Sequence, residues 1–473
     1  MKKVKCDLCI IGAGAGGLSV SAGAVAFGSS VILVEKDKMG GDCLNVGCVP
    51  SKAFIAAAKK AYAYKDAEKF GIEELKPKVD FKKVQAHVAD IIASIAPHDS
   101  VERFEGLGVK VVKGVGRFID EKTLQVNGQK ISAKRFIIAT GSRPAVPLIL
   151  GLGDVPYFTN ENIFELDKLP SHLIIIGAGA IGMELAQAFN RLGAKVSVIE
   201  KFNAFAKDDA ELTKIVLQNI RDEGVNIYEE TGIEKIEKNG EKIKVFIDGE
   251  KKQTIVGTHL LVAAGRRANI EELNLENAKI EYNKRGIKIN SSLQTSNKKI
   301  FAIGDVAHGL QFTHAASYQA SLVIKKTIFK LPIKQNINLI PWATYTEPQI
   351  GNVGLSEKEA KARFGENIQV VRAKFAENDK AKTIREIKGL VKLILNKKGE
   401  ILGCSIVGSN ASELISFFSY VIANKQKVNS LVKFIAPYPT LSEIVRKVGV
   451  ESYREKLSNP LLKVFTKFMR FLP

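Results

Sequence analysis

Two distant stretches of the chain are built alike. Cys9-Ile10-Ile11-Gly12-Ala13-Gly14-Ala15-Gly16-Gly17 leads into an Ala-rich run and then into Val31-Ile32-Leu33-Val34-Glu35. Leu173-Ile174-Ile175-Ile176-Gly177-Ala178-Gly179-Ala180-Ile181-Gly182 leads in the same way into Val196-Ser197-Val198-Ile199-Glu200. In both, the acid follows the first glycine by 23 residues. Each reads as a buried parallel strand, a tight turn, a helix and a second strand closing on a carboxylate. The first glycine permits the turn, the second lets backbone approach a pyrophosphate, and the third lets helix and strand pack closely. The phosphate rests on free N–H groups at the helix start, and the acid accepts hydrogen bonds from a ribose. One such turn is weak evidence for a nucleotide site; two with strand, helix and acid in register predict two dinucleotide sites and an α/β fold.

The 473 residues allow roughly three domains. With 45% hydrophobic and 25% charged residues, the chain is neither disordered nor collagen-like. Its net charge of +20 favours anionic partners, although the basic residues are spread along the whole chain, as on a solvated surface. No nucleic-acid-binding motif accompanies that charge, so no nucleic acid is expected. Five cysteines, an odd number, do not make a secreted disulfide framework and suit a reducing compartment. The basic Met1-Lys2-Lys3-Val4-Lys5 and the uncharged run from Leu8 to Val34 imitate a signal peptide or membrane span. Their Gly and Ser content and the parse into strand, turn, helix and strand argue against both.

Between the repeats, residues 53–100 read as a Lys/Ala-rich helix and 108–147 as short strands ending at Ala139-Thr140-Gly141-Ser142-Arg143-Pro144. Further strands fill 225–262 and close at Ala264-Gly265-Arg266-Arg267; another apolar strand enters Ile303-Gly304-Asp305. From Pro341 alternating strand patterns and amphipathic helices mark a further domain.

The chemistry lies in Gly40-Gly41-Asp42-Cys43-Leu44-Asn45-Val46-Gly47-Cys48-Val49-Pro50-Ser51-Lys52. Two cysteines five apart bridge only when their Cα atoms come within about 7 Å, whereas a regular helix separates them by about 7.5 Å along its axis. A distorted turn is therefore expected, with Gly47 supplying freedom. An exposed, strained pair of this kind is reducible and catalytic. Lys52, one turn after Cys48, favours a thiolate there. Cys6, Cys9 and Cys404 read as structural: Cys6 and Cys9 share the first strand, where residues three apart are expected on opposite faces.

This segment resembles the redox-disulfide signature of the pyridine nucleotide-disulfide oxidoreductases, and the resemblance runs in family order to Tyr438-Pro439-Thr440-Leu441-Ser442-Glu443. It implies an α/β fold with two Rossmann-like dinucleotide-binding domains, for FAD and NAD, and a C-terminal α+β dimerisation domain. The FAD domain would comprise 1–150 and 271–340, the NAD(P) domain 151–270, and the dimerisation domain, with an amphipathic tail, 341–473. By the same resemblance Gly12, Gly14, Gly17 and Glu35 hold the adenosine diphosphate half of FAD. Asp305 binds its ribityl chain, Thr140, Gly141 and Ser142 line it, and Gly265, Gly304, Thr313 and His314 lie near it. Gly177, Gly179, Gly182 and Glu200 bind the nicotinamide cofactor. Glu184 pairs with Lys52 beside the flavin. A carboxylate at 200 accepts from a free 2′-hydroxyl and repels a 2′-phosphate, which favours NADH; Lys201 and Lys207 partly offset the repulsion, so NADPH is admitted. The implied mechanism is a two-electron relay from NADH through flavin to the Cys43–Cys48 pair, with Cys48 as the flavin-side thiolate and Cys43 meeting the substrate.

One departure bears on the acceptor. Thiol–disulfide members carry His-Pro-Thr near the C-terminus, with a Glu orienting the His; this chain has Tyr438-Pro439-Thr440 with Glu443 retained. Tyr titrates near 10 and His near 6.5, and losing a positioned acid–base costs about 10²–10⁴ in rate. Mercuric reductases have, by resemblance, a Tyr here, yet the C-terminal vicinal cysteines of those enzymes are not in the closing Met469-Arg470-Phe471-Leu472-Pro473. The expectation is an FAD- and NAD(P)H-dependent oxidoreductase, mercuric reductase-like, reducing a metal ion or other small acceptor. The alternatives are a dihydrolipoyl dehydrogenase and a low-turnover flavin redox sensor at a membrane surface. No resident metal is expected. A cytoplasmic homodimer is expected, each active site built from both chains. Asn459-Pro460 starts a basic amphipathic segment through 473, suited to peripheral contact with the inner face of a membrane or to docking on the dimer.

Overall fold

The computed structural model describes residues 3–249, 252–454 and 460–470. These form two compact units: Met1–Phe202 with Val225–Gln335, and Asn203–Gly224 with Asn336–Pro473.

In the first unit, β1 (Lys3–Ile11) runs into α1 (Ala15–Ala26) and β2 (Val31–Glu35), followed by α2 (Gly41–Asn45) and α3 (Cys48–Tyr62). Then come α4 (Phe81–Ile95), α5 (Val101–Gly106), β3 (Lys110–Lys113), β4 (Arg117–Asp120), β5 (Thr123–Val126) and β6 (Gln129–Ile138). The sheet has the order β3-β2-β1-β6-β5-β4, and the strand Ile300–Ala302 also pairs with β6. Pairing is parallel among β3, β2, β1 and β6, with Ile10 beside both Leu33 and Ile137. Strands buried on both faces read as unbroken apolar runs, and those runs made β1 and β2 legible. Residues 53–100 do not form one helix: Gly71, at φ +76°, ends the first helical stretch, and an extended segment precedes Asp80, which caps α4 by accepting from Lys83 N–H.

Cys6 and Cys9 are both buried, but not on opposite faces as expected: both belong to the core formed with Ile11, Val34, Phe136 and Ile138. The faces reverse between Cys6 and Leu8, where the N–H groups of Asp7 and Leu8 both donate to the carbonyl of Ser30; pairing with β6 keeps its register through this point, so β6 turns with β1 and no residue is inserted. Burial pushes the Cys6 thiol up to about 12 and holds Cys9 and Cys404 well above the ordinary thiol range.

After β7 (Ser142–Pro144), which pairs with the strand Arg266–Ala268, a second parallel sheet contains β8 (His172–Ile176), β9 (Lys195–Ile199) and β10 (Asn226–Tyr228), with His259–Val262 on its other side. Here α6 (Ala180–Arg191) follows the second glycine turn. The next helix, α7 (Ala210–Asp222), belongs to the second unit, whereas α8 (Thr313–Thr327) packs on α1.

The second unit is built on a five-stranded antiparallel sheet, in the order Trp342–Thr344, Gln349–Gly354, Ile401–Gly408, Leu390–Asn396, Ile368–Lys374. One face packs Val391, Leu393 and Ile406 against Phe375, Phe418 and the helix Glu443–Glu451. On the other face Lys392, 5% exposed, meets Asp209 at 2.7 Å, Glu211 at 3.1 Å and Glu357 at 2.5 Å. Its cross-strand neighbour is Arg372. Two cations side by side need these acids: Arg372 grips Glu211 with both nitrogens at 2.7 and 2.8 Å. The helix Pro460–Met469 leaves Val464, Phe465, Phe468 and Met469 exposed. Asn459, Phe471 and Leu472, expected to begin and extend it, lie outside the described residues. Among the described residues no helix is long and apolar enough to cross a membrane.

Candidate active site

The two glycine turns superpose in their physics. Gly12 and Gly177 take φ of +104° and +106°, and a Cβ at either would stand 2.4 or 2.5 Å from the carbonyl oxygen of Ala139 or Ala263. A Cβ at Gly17 or Gly182 would fall 1.9 or 2.0 Å from the carbonyl oxygen of the first glycine. At Gly14 and Gly179 a Cβ would meet open space, the room a phosphate backbone needs at the start of α1 and α6. Glu35 accepts from Ala13 N–H at 2.6 Å and Asp37 N–H at 2.7 Å; Glu200 accepts from Ala178 N–H at 2.8 Å and Phe202 N–H at 3.0 Å. Both carboxylates are thus fixed at the rim of their turns. Beside the first lies a cavity of about 310 Å³ lined by Gly12, Val34, Glu35, Thr140 and Arg143. This cradle fits the adenosine part of FAD.

Further along the same groove, Thr140, Gly141 and Ser142 are pinned by Asn269, which donates to the Thr140 carbonyl at 2.9 Å and accepts from Thr140 Oγ1 through its own carbonyl at 2.7 Å. Ser142 donates its hydroxyl to Asp305 at 2.5 Å. Burial raises the Asp305 carboxyl above the usual carboxylate range, opposed by that hydrogen bond and by Arg266. Gly304 N–H donates to Gln319 at 2.7 Å, Gly265 accepts from Ala145 N–H at 2.9 Å, and His314 stacks on Phe312 at 5.5 Å.

The dithiol turn breaks between α2 and α3. Gly47 (φ −118°, ψ −111°) separates the helices, and a Cβ there would lie 2.6 Å from Asp42 Oδ2 and 2.9 Å from its carbonyl oxygen. This close approach folds the turn so that the Cys43 and Cys48 side chains act on one another. Cys48 is the first residue of α3, where the helix N-terminus favours an anion. The hydrogen bond from Cys43, then that from Thr313, then the charge of Lys52 hold Cys48 down at about 6, against burial and Asp42. Cys43 is driven far the other way by its bond to Cys48 and by burial. The reduced pair is therefore asymmetric, with Cys48 the sulfur that ionises more readily. Cys48 Sγ lies 3.6 Å from Thr313 Oγ1 at the start of α8. Lys52 Nζ donates to Glu184 Oε2 at 2.7 Å, and Glu184 is 5% exposed.

Tyr438 and Glu443 lie in the second unit. Tyr438 is 72% exposed and donates its hydroxyl to Asp379 Oδ2 at 3.3 Å. Glu443 does not reach that hydroxyl; it accepts from Thr440 N–H at 3.2 Å. Reading the sequence missed Asp42, Arg266 and Asn160 as site residues. Arg266 Nη2 donates to Asp42 Oδ1 at 2.8 Å, and Asn160 donates to the same oxygen at 3.3 Å. Asp42 and Arg266 sit inside the quoted motifs; Asn160 carries no sequence signal.

Comparison with known families decides the class. The family model for pyridine nucleotide-disulphide oxidoreductase matches residues 6–320, and that for the family's dimerisation domain matches 340–448. The chain belongs to the pyridine nucleotide-disulphide oxidoreductase family. Like the rest of that family, it is an enzyme that depends on FAD and takes electrons from NAD(P)H. Among its relatives in the family is a mercuric reductase of Lysinibacillus sphaericus, 34% identical over 442 residues, covering 92% of this chain and 81% of the relative. A dihydrolipoyl dehydrogenase of Geobacillus stearothermophilus is 33% identical over 466 residues, covering 94% and 96%. Among solved structures, the Cu(II) complex of the HOCl-induced flavoprotein disulfide reductase RclA from Escherichia coli matches with TM-score 0.84 at 25% identity, covering 94% of this chain and 99% of that one. The dimerisation domain supports a homodimeric oxidoreductase.

Proposed function

We propose that this oxidoreductase uses the Cys43–Cys48 pair to reduce a soft metal ion or another small thiophilic acceptor, in the manner of a mercuric reductase. One observation carries the reading: Tyr438, with its hydroxyl on Asp379, occupies the place where thiol–disulfide members have a histidine. A phenol there donates a hydrogen bond but is a poorer proton shuttle near neutrality than an imidazole. Delivery of electrons to a thiolate-bound ion needs soft ligands rather than a shuttle. The mercuric reductases among the relatives and the Cu(II) complex of RclA support it.

Gly12, Gly14, Gly17 and Glu35 would hold the adenosine diphosphate of FAD, Asp305 its ribityl chain, and Gly177, Gly179, Gly182 and Glu200 the nicotinamide cofactor. Bound FAD supplies a two-electron carrier between NAD(P)H and the sulfur pair. Cys48, held as a thiolate beside Thr313 and Lys52, faces the cofactor side; Cys43 keeps the proton and meets the acceptor. Glu184 fixes Lys52 so that its charge stays near Cys48. The engaged Glu200 carboxylate favours NADH. The exposed apolar residues of Pro460–Met469 suit the dimer or a membrane surface; equal liposome flotation with and without 459–473 would end the membrane reading.

The test is anaerobic NADH oxidation by FAD-loaded protein with Hg(II)–thiol, Cu(II)–thiol or lipoamide. Turnover with a metal complex, abolished by Cys43→Ser, supports the proposal. Fast turnover only with lipoamide supports dihydrolipoyl dehydrogenase, the second reading, which the Geobacillus relative favours. Negligible turnover with all three supports a redox sensor.

A further inference from the structure

The dithiol turn carries an acid that the relay does not use. Asp42 precedes Cys43, and its backbone carbonyl accepts from Val46 N–H at 2.9 Å, so its carboxylate rides on the turn itself. A negative charge so close to two sulfurs opposes a thiolate on either. The structure supplies a counter-charge from far along the chain. Arg266, 13% exposed, donates through Nη2 to Asp42 Oδ1 at 2.8 Å and to the Ser142 carbonyl at 3.0 Å, and through Nε to Ser142 Oγ at 2.7 Å. Asp305 accepts the Ser142 hydroxyl and lies 3.7 Å from Arg266 Nε. Asn160 donates to Asp42 Oδ1 at 3.3 Å and to the Val46 carbonyl at 3.2 Å, closing the clasp from the other side of the turn.

We propose that Arg266 and Asp42 are positioning residues for the sulfur pair: the guanidinium ties the dithiol turn to Ser142 and Asp305, and cancels the charge that Asp42 would otherwise turn on Cys43 and Cys48. A planar fork suits this task, since it reaches a carboxylate, a hydroxyl and a carbonyl in one plane, which a lysine does not. The groups facing the pair are Asp42 on α2, Lys52 on α3 with Glu184 of α6 behind it, and Thr313 on α8. Arg266 is paired with Asp42, so the two variants act on the sulfurs with opposite sign. The inference is independent of which acceptor the enzyme reduces.

The test uses anaerobic, two-electron-reduced holoprotein. Its readouts are the pH midpoint of the long-wavelength thiolate-to-flavin absorbance and the pH dependence of iodoacetamide alkylation at each cysteine, resolved by peptide mass. Arg266→Gln is expected to raise the midpoint by about one pH unit, Asp42→Asn to lower it by a similar amount, and the double variant to return close to the parent. A merely structural brace predicts no such reversal, because the double variant lacks the clasp entirely. A midpoint unmoved by Arg266→Gln, or a shift that Asp42→Asn leaves in place, overturns the proposal. Should Arg266→Gln fail to fold, Asp42→Asn alone decides: an unchanged or higher midpoint overturns it.

Discussion

The two sulfurs differ by the company they keep. Cys48, held near 6, is a thiolate above that pH and regains its proton as pH falls through it. The thiolate-to-flavin absorbance of the reduced protein should therefore fade with a midpoint near 6. Removing the positive neighbour by Lys52→Met should raise that midpoint by up to about one unit. Cys48→Ser should abolish the band at every pH. At the nicotinamide turn, Glu200→Ala should raise kcat/KM for NADPH relative to NADH about tenfold, read from initial rates, because the carboxylate fixed by Ala178 and Phe202 N–H groups no longer faces a 2′-phosphate. Cys43, Cys48 and Lys52 were legible because they share one short stretch of sequence. Arg266 and Asn160 were not, since their roles arise only when residues more than a hundred positions away fold back onto Asp42.

The decisive element is the break between α2 and α3. Gly47→Ala would put a Cβ 2.6 Å from Asp42 Oδ2 and 2.9 Å from its carbonyl oxygen, so the turn must shift to admit it. It should cost about 1–3 kcal/mol in denaturant unfolding, and more sharply should slow reoxidation of the dithiol, because the sulfurs no longer meet. That the turn must be distorted followed from helix geometry alone; that its distortion depends on contact with Asp42 did not. Elements built on apolar runs, the second half of β1, β2 and β8, were equally plain. The reversal of faces at Asp7 and Leu8 was hidden because both N–H groups meet the carbonyl of Ser30, a pairing that no local pattern encodes. The stretch 53–100 misled for a related reason: its lysines and alanines favour helix throughout, and Gly71 with the extended segment beyond it interrupts the run.

At the scale of the whole molecule, the second unit rests on a buried ionic knot. Lys392→Met leaves Asp209, Glu211 and Glu357 facing one another without their central cation, and should destabilise by about 3–5 kcal/mol, read as an earlier denaturant midpoint. Arg372 holds the Glu211 carboxyl down at about 2, below its ordinary 4.5. Its contribution is therefore complete above pH 4.5 and lost as pH falls through 2, so the Tm gap between parent and Glu211→Gln should close over that window. Sedimentation should return twice the chain mass, in keeping with the matched dimerisation domain. The two nucleotide turns are alike to a tenth of an ångström where their glycines meet backbone, so one chain holds the same grip twice. They differ just beyond the acid: the first runs on into the sulfur turn at α2 and α3, the second into α7, which belongs to the antiparallel unit. With the grip the same and the sequel different, the loop past each carboxylate is the position to vary when seeking new chemistry on this scaffold.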